Sequence, residues 1–386
     1  MRFKAKLPQL IGLCILSTVA IGITLNTFGV FYTPISEDLG IPQSTVSFSA
    51  TLCSLLIGFM AGLALKMARK TKPLPVMLFG ALAAAASFGL LACAKSGIAV
   101  LACAVLRGCG CSCFFLPVIT YLLGLHFTEN RGFVTGIVTS FSGLGGAVLN
   151  PIMTGIIASA GWKTACLVTG GITLVLTPIG VLLSVKGAVI THSEAERSQS
   201  FRDLLTGKFF ACAAFGFLAS GISALATFFS AYSIFSGIGA MTGAAMMSAA
   251  MISNIVVKLI FGVMADKLGV FRSAAIMAAI LLIGTVSLAV FRAPVLLIAS
   301  AVLFGADYAL SNVCVSLLTR KMWREEEYAR VYPYMNMTTS VSYAIYIALI
   351  GAILNLFDSY LPVFIFIGLS GALLLVLIPV MKKQCE

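Results

Sequence analysis

Twelve apolar runs, each near the ~20 residues an α-helix needs to cross hydrocarbon, leave this chain little choice of fold. They lie at about 8 to 32, 43 to 65, 74 to 94, 97 to 123, 133 to 158, 164 to 185, 209 to 231, 240 to 264, 273 to 291, 294 to 318, 333 to 357 and 361 to 381. Lipid supplies no hydrogen-bond partner to an open backbone, so every run is expected to be helix. The expectation is an all-α membrane protein with twelve transmembrane helices in two six-helix bundles. A length of 386 residues would also suit two soluble domains, but 60% hydrophobic and 10% charged residues exclude them. The pair of runs starting at 74 and 97 is joined only by Lys95, Ser96 and Gly97, enough for a tight helical hairpin.

The net charge of +12 does not point to nucleic acid, because the basic residues sit in short loops between apolar runs and form no basic face. With the N-terminus inside, the cytoplasmic segments hold Arg2, Lys4, Lys6, Lys66, Arg69, Lys70, Lys72, Arg131, Lys186, Lys208, Lys267, Arg272, Arg320, Lys321, Arg324, Arg330, Lys382 and Lys383, among others. The outer segments hold Lys95, Lys163 and Arg292. This asymmetry places both termini in the cytoplasm of a multi-pass protein of the cell membrane, plasma or bacterial inner. Arg2, Lys4 and Lys6 precede an apolar run that reaches Tyr32, longer than a signal peptide core, so an uncleaved first span is expected. Eleven cysteines fall almost entirely inside apolar segments and read as packing residues. Cys109, Cys111 and Cys113 are spaced by two, which on a helix throws their sulfurs onto different faces; no metal and no cofactor are expected.

The longest polar stretch, Lys186 to Lys208, carries His192, Glu194, Glu196, Arg197 and Asp203 and reads as a solvated linker. It divides the chain into a bundle at 1–190, a cytoplasmic linker at 191–207 and a second bundle at 208–386. The halves are weakly alike at an offset of roughly 200 residues, as internal repeats of transporters are. Gly58 to Lys66 then lies opposite Lys258 to Asp266, and Arg131 opposite Arg330.

Three residues of clear charge fall well inside the spans: Arg107, Lys258 and Asp307. Each costs about 3 kcal/mol at bilayer depth even on insertion scales, so each needs a reason. Arg107 is roughly 15 Å into its helix and Asp307 is equally near the midplane, both too deep to snorkel; Lys258 is roughly 9 Å from its helix end, where snorkelling competes with a buried role. One reading puts Arg107 and Lys258 at a cavity between the halves, with a carboxylate substrate as the counter-charge. Asp307 would then pair with a cation in the empty state or carry a proton. The other reading, for Arg107 and Asp307, is a permanent ion pair or carbonyl-capped pair that only locks helices. Asn26, Thr27, Tyr121, Tyr308, Asn312, Tyr343 and Tyr346 are polar neighbours able to line such a cavity, and Gly143, Gly145, Gly146 and Pro151 permit close helix approach and bending.

The stretch Asn254 to Arg272, NIVVKLIFGVMADKLGVFR, joins Lys258 to a turn of pattern G-x-x-x-D-K-x-G-x-x-R. With Gly262, Asp266, Lys267, Gly269 and Arg272 at these offsets, and six plus six spans around a central linker, the chain resembles the major facilitator superfamily. The resemblance implies a cytoplasmic gate motif after the eighth span, with Asp266 capping a neighbouring helix N-terminus. The first-half copy departs from the pattern, with Lys66 in place of the acid and Arg69 in place of the second glycine. Lys66, Arg69, Lys70 and Lys72 are read instead as a site for anionic lipid headgroups.

Within the superfamily the chain is similar to the oxalate/formate antiporter and monocarboxylate transporter branch. The similar residues are Phe28-Gly-Val-Phe31 with Pro34 and Asp38-Leu-Gly40, Arg107-Gly108-Cys-Gly110 through Pro117, Ser142-Gly-Leu-Gly145 through Asn150-Pro151, and Gly161-Trp162-Lys163. By resemblance, Lys258 stands where the branch has a substrate-binding arginine, and Asn254 where monocarboxylate transporters have an acid. The second cation that oxalate transporters carry in the eleventh helix is missing between Val331 and Phe357.

These readings converge on a secondary active transporter of a small organic anion, expected to be a monocarboxylate, working as a monomer by alternating access with proton coupling or exchange. Its substrate and coupling residues would be Arg107, Lys258, Asp307, Asn254, Asn26 and Tyr308. The alternative is a proton-coupled exporter of amphipathic or cationic compounds that uses Asp307. An enzyme is not expected, since no nucleophile–base pair or phosphate loop is present and His126 and His192 fall in or beside loops.

Overall fold

A computed structural model describes residues 6–127, 129–187 and 206–385. Among the described residues there is no strand. The helices long and apolar enough to cross a membrane are α1 (Leu7–Phe31), α2 (Thr45–Lys70), α3 (Pro73–Ala92), α4 (Gly97–His126), the 55-residue Arg131–Val185, α7 (Gly207–Phe228), α8 (Met241–Leu268), α9 (Val270–Val290), α10 (Pro294–Met322), α11 (Glu327–Leu354) and α12 (Leu361–Lys383). Arg131–Val185 is about twice the length of one span. It breaks at Gly161, where φ is 82° and ψ 162°, a conformation open to glycine, and so forms α5 before the break and α6 after it. The twelve expected spans are therefore all present as helices.

Two compact units make up the chain: Met1–Glu129 with Phe141–Ala195, and Asn130–Ser140 with Glu196–Glu386. The first turns of α5 thus pack in the second unit and the rest of α5 in the first. The residues expected at the linker, including His192, Glu194, Glu196, Arg197 and Asp203, lie outside the described residues, which resume at Thr206. In both units large apolar side chains such as Phe79, Ile98, Leu369 and Val376 are left exposed, the inverse of a water-soluble surface.

Helix regularity follows a period of three. α2, α3, α8, α9, α11 and α12 are α-helical along their length. α1 passes from α-helix into a π-helix at Thr18–Asn26 and a 3-10 turn at Thr27–Phe31. α4 is interrupted between Ser112 and Leu116, α7 ends in a 3-10 segment at Ser223–Phe228, and α10 carries a π segment at Ala309–Cys314. In α1 the wider turns are held by threonine hydroxyls: Thr24 donates to the Val19 carbonyl and Thr27 to the Gly22 carbonyl, each at 2.9 Å and five residues back. Irregular backbone at membrane depth survives where it is buried in protein or lines a polar space, and π turns concentrate at functional sites. The first, fourth, seventh and tenth spans are thereby set apart from the others.

Two motifs far apart in sequence meet at one end of the first unit. Asp38, at the end of the α-helical extension Tyr32–Leu39, accepts hydrogen bonds on Oδ2 from the Trp162 indole at 3.1 Å and the Lys163 ammonium at 2.9 Å. The hydrogen bond from Lys163, and then that from Trp162, hold the Asp38 carboxyl below the ordinary carboxylate range. A depressed folded pKa means the clip contributes above the unfolded carboxylate pKa and is lost as pH falls through the lowered one.

Candidate functional site

In the first unit the constellation is built around Arg107 on α4. Glycine spacing puts it there. A Cβ on Gly108 would stand 2.9 Å from the Cys53 carbonyl oxygen of α2, and one on Gly110 would stand 2.6 Å from the Ala84 nitrogen and 2.8 Å from the Gly80 oxygen of α3. Only bare backbone lets α4 approach both neighbours this closely. Replacing Gly110 with alanine is expected to lower stability by about 1–3 kcal/mol through overpacking. Gly89→Ala, whose Cβ meets nothing within 4 Å, should leave the melting temperature near that of the parent.

The approach carries Arg107 into an apolar surround, where it is 2% exposed. Its guanidinium lies 3.6 Å from the Phe28 ring centroid and 5.5 Å from that of Phe88, and Nε donates to Cys53 Sγ at 3.5 Å. Among the described residues no carboxylate pairs with it. Phe28 belongs to the 3-10 turn of α1, so the irregular backbone of that span presents the ring to Arg107. Asn26, on the same irregular stretch, is exposed, and its Nδ2 donates to the Ser142 carbonyl of α5 at 3.3 Å.

In the second unit Asp307 is fully buried on α10, two residues before the π segment. Its Oδ2 accepts a hydrogen bond from Ser223, the first residue of the 3-10 segment of α7. Its Oδ1 has no hydrogen-bond partner among the described residues. Asp307, read from the sequence as the partner of a cation or the carrier of a proton, meets this neutral hydroxyl donor at the start of the 3-10 segment of α7. Tyr308, next along, is half-buried.

Lys258 does not snorkel. It is 2% exposed on α8, and its Nζ donates to the Thr139 carbonyl of α5 at 3.3 Å, where α5 crosses α8 closely. A Cβ on Gly136 would lie 2.5 Å from the Lys258 carbonyl oxygen, and the Ser140 hydroxyl donates to the Ile255 carbonyl at 3.1 Å. Asn254, one turn before Lys258, is 6% exposed, and its Oδ1 has no hydrogen-bond partner among the described residues.

The end of α8 explains the spacing of its glycine and acid. Gly262 and Asp266 stand four residues apart, on one face. Gly262 lets the α5 backbone approach: a Cβ there would be 2.4 Å from the Gly132 oxygen. Asp266 then meets the first turn of α5, accepting from the Gly132 N–H at 2.9 Å and the Phe133 N–H at 2.8 Å. These are among the four amides a helix start leaves without a partner, and a carboxylate is favoured beside them. Gly269, at φ 86°, makes the turn into α9, while Lys267 and Arg272 are exposed.

Phe28, Cys53, Ser223 and Thr139 were not picked out by sequence as partners of the buried charges. One signal was available for Arg107: the first six spans contain no acid at membrane depth, so a partner from its own unit had to be an aromatic face, a thiol or a carbonyl. The triplet Cys109, Cys111 and Cys113 is respectively exposed, buried and partly buried, as divergent helix faces require.

A sequence profile described as Major Facilitator Superfamily matches residues 14–345 and 246–384. Among curated proteins, the chain is 25% identical over 162 residues to human monocarboxylate transporter 7, covering 41% of this chain and 30% of that one. It is 28% identical over 197 residues to Danio rerio monocarboxylate transporter 12-B, covering 42% and 41%. It is 36% identical over 86 residues to the "Probable sulfoacetate transporter SauU" of Cupriavidus necator, covering 18% and 20%. The matches thus span well under two thirds of each relative. Among solved structures, the E. coli fucose:proton symporter FucP superposes with a TM-score of 0.76 at 13% identity, covering 96% of this chain and 98% of that one. The human organic anion transporter MFSD10 (TETRAN) superposes with a TM-score of 0.73 at 14% identity, covering 98% and 99%. With its helices, its α8 turn and a profile match along nearly its whole length, this chain is a member of the major facilitator superfamily, a family of membrane transporters and not of enzymes.

Proposed function

We propose that this chain is a secondary active transporter that moves a small organic anion, a monocarboxylate, by alternating access. The observation that carries the reading is Arg107: a guanidinium buried at bilayer depth with aromatic and thiol neighbours and, among the described residues, no carboxylate. A charge this costly is retained for an anion that comes and goes. The names of the matched monocarboxylate transporters support the same substrate class.

In this proposal Arg107 and Lys258 receive the carboxylate, with Asn254, Asn26 and Tyr308 as polar contacts, and Asp307 exchanges a proton. Gly262, Asp266, Lys267, Gly269 and Arg272 form the cytoplasmic gate. The chain works as a monomer with both termini in the cytoplasm of a cell membrane, and anionic lipids contact Lys66, Arg69, Lys70 and Lys72. The matching experiment is uptake of labelled lactate, formate and acetate into proteoliposomes, with and without a pH gradient. Arg107→Ala and Lys258→Ala should each lower uptake at least tenfold; uptake indifferent to both would overturn the assignment.

A second reading, export of amphipathic or cationic compounds with proton exchange, is favoured by the buried Asp307 and its Oδ1, which has no hydrogen-bond partner among the described residues. In that case Asp307→Asn abolishes transport and Lys258→Ala changes little.

A further inference from the structure

We propose that Phe28 and Cys53 are positioning residues that leave one edge of the Arg107 guanidinium for ligand, and that this selects a singly charged planar carboxylate against a dianion. The inference rests on the anion-transport reading above and concerns how that site chooses its cargo.

A guanidinium has five N–H donors in one plane and two edges able to grip a carboxylate with paired hydrogen bonds, one formed by both Nη atoms and one by Nε with an Nη. Phe28 covers a face at 3.6 Å from ring centroid to Cζ, a stacking distance that fixes the plane. Nε is engaged by Cys53 Sγ at 3.5 Å, which takes the second edge out of use. The end with both Nη atoms remains, and a carboxylate in the guanidinium plane satisfies it with two parallel bonds. Sulfur and an aromatic ring fix the group's orientation without neutralising it, as an aspartate in the same place would.

The surround sets the charge. Phe28, Phe31, Phe88, Cys103 and Cys166 are buried in one apolar cluster, with Tyr32 packed against it. With Arg107 and Lys258 both committed to the one carboxylate, a second negative charge on the ligand would enter this cluster without a partner, and an uncompensated buried charge is strongly disfavoured. A short apolar tail meets no such cost. The site therefore fits lactate-like or acetate-like monoanions and turns away malonate-like dianions.

The test uses the full chain in proteoliposomes and measures KM and maximal rate for labelled lactate, inhibition by malonate, and melting temperature. Phe28→Tyr keeps the ring; Phe28→Leu removes it at similar volume, with Phe28→Met as the substitute should the leucine variant fail to fold. Cys53→Ser keeps an acceptor for Nε and Cys53→Ala does not. The expected result is a KM raised about tenfold in the ringless variant, from the loss of a desolvated cation–π contact, with maximal rate within about twofold. Phe28→Tyr and Cys53→Ser should stay within about threefold of the parent, and malonate should inhibit only the Cys53→Ala protein, whose second guanidinium edge is free. Equal KM shifts in Phe28→Tyr and Phe28→Leu, or a fall in maximal rate and melting with KM unchanged, would overturn the positioning role while leaving anion transport standing. A parent protein that neither takes up nor is inhibited by any monocarboxylate would overturn both.

Discussion

Replacing Arg107 with methionine is expected to lower monocarboxylate uptake by about a hundredfold or more while leaving the melting temperature unchanged or higher. Two charge-assisted hydrogen bonds to a bound carboxylate, each worth about 1.5–3 kcal/mol, would be lost together, and about 1.4 kcal/mol corresponds to a factor of ten. Folding loses much less. The parent holds a guanidinium at 2% exposure with no carboxylate among the described residues, so its burial is a cost of about 3 kcal/mol against stability. The replacement surrenders the stack on Phe28 but fills a similar length, and its thioether also packs well against a ring. Proteoliposome uptake and a thermal melt of the same preparation check both halves. A large fall in melting temperature with uptake retained would make Arg107 a structural lock.

Gly262→Val is expected to have the largest effect on stability. The valine Cβ would start 2.4 Å from the Gly132 oxygen and 3.0 Å from the Phe133 Cα, and both obstacles are backbone, which cannot swing aside. Separating α8 from the start of α5 would also pull Asp266 off the Gly132 and Phe133 amides. Overpacking costs about 1–3 kcal/mol, and orphaned helix-start amides add to it. The expected result is a melting temperature several degrees lower, with faster amide exchange at the first turn of α5. Gly155→Ala, in open space on the same helix, serves as the control and should melt with the parent. Melting of the two variants together would refute the contact.

Much of the fold was legible because a membrane restricts the choices. Twelve apolar runs of spanning length can only be helices, and their ends are written in charge and turn residues such as Gly97, Gly161 and Gly269. The break between α5 and α6 illustrates the limit: composition marks Gly161, but only its φ of 82° shows how the chain turns there. The period of irregular spans, by contrast, left little trace. Nothing in Thr18–Asn26 or Ala309–Cys314 distinguishes a π turn from ordinary helix by residue type, since both segments are made of residues that ordinary helices also hold.

Sequence by itself determined that Arg107, Lys258 and Asp307 are the costly residues, because any charge deep in an apolar run must be compensated wherever the helices go. What compensates each was decided by tertiary structure. An aromatic face and a thiol meet Arg107, a carbonyl meets Lys258 and a hydroxyl meets Asp307, partners that charge counting alone does not name. The reason is packing geometry. Glycines at 108, 110, 132, 136 and 262 set how closely particular helices cross, and a crossing distance belongs to a pair of helices, so neither one's sequence contains it.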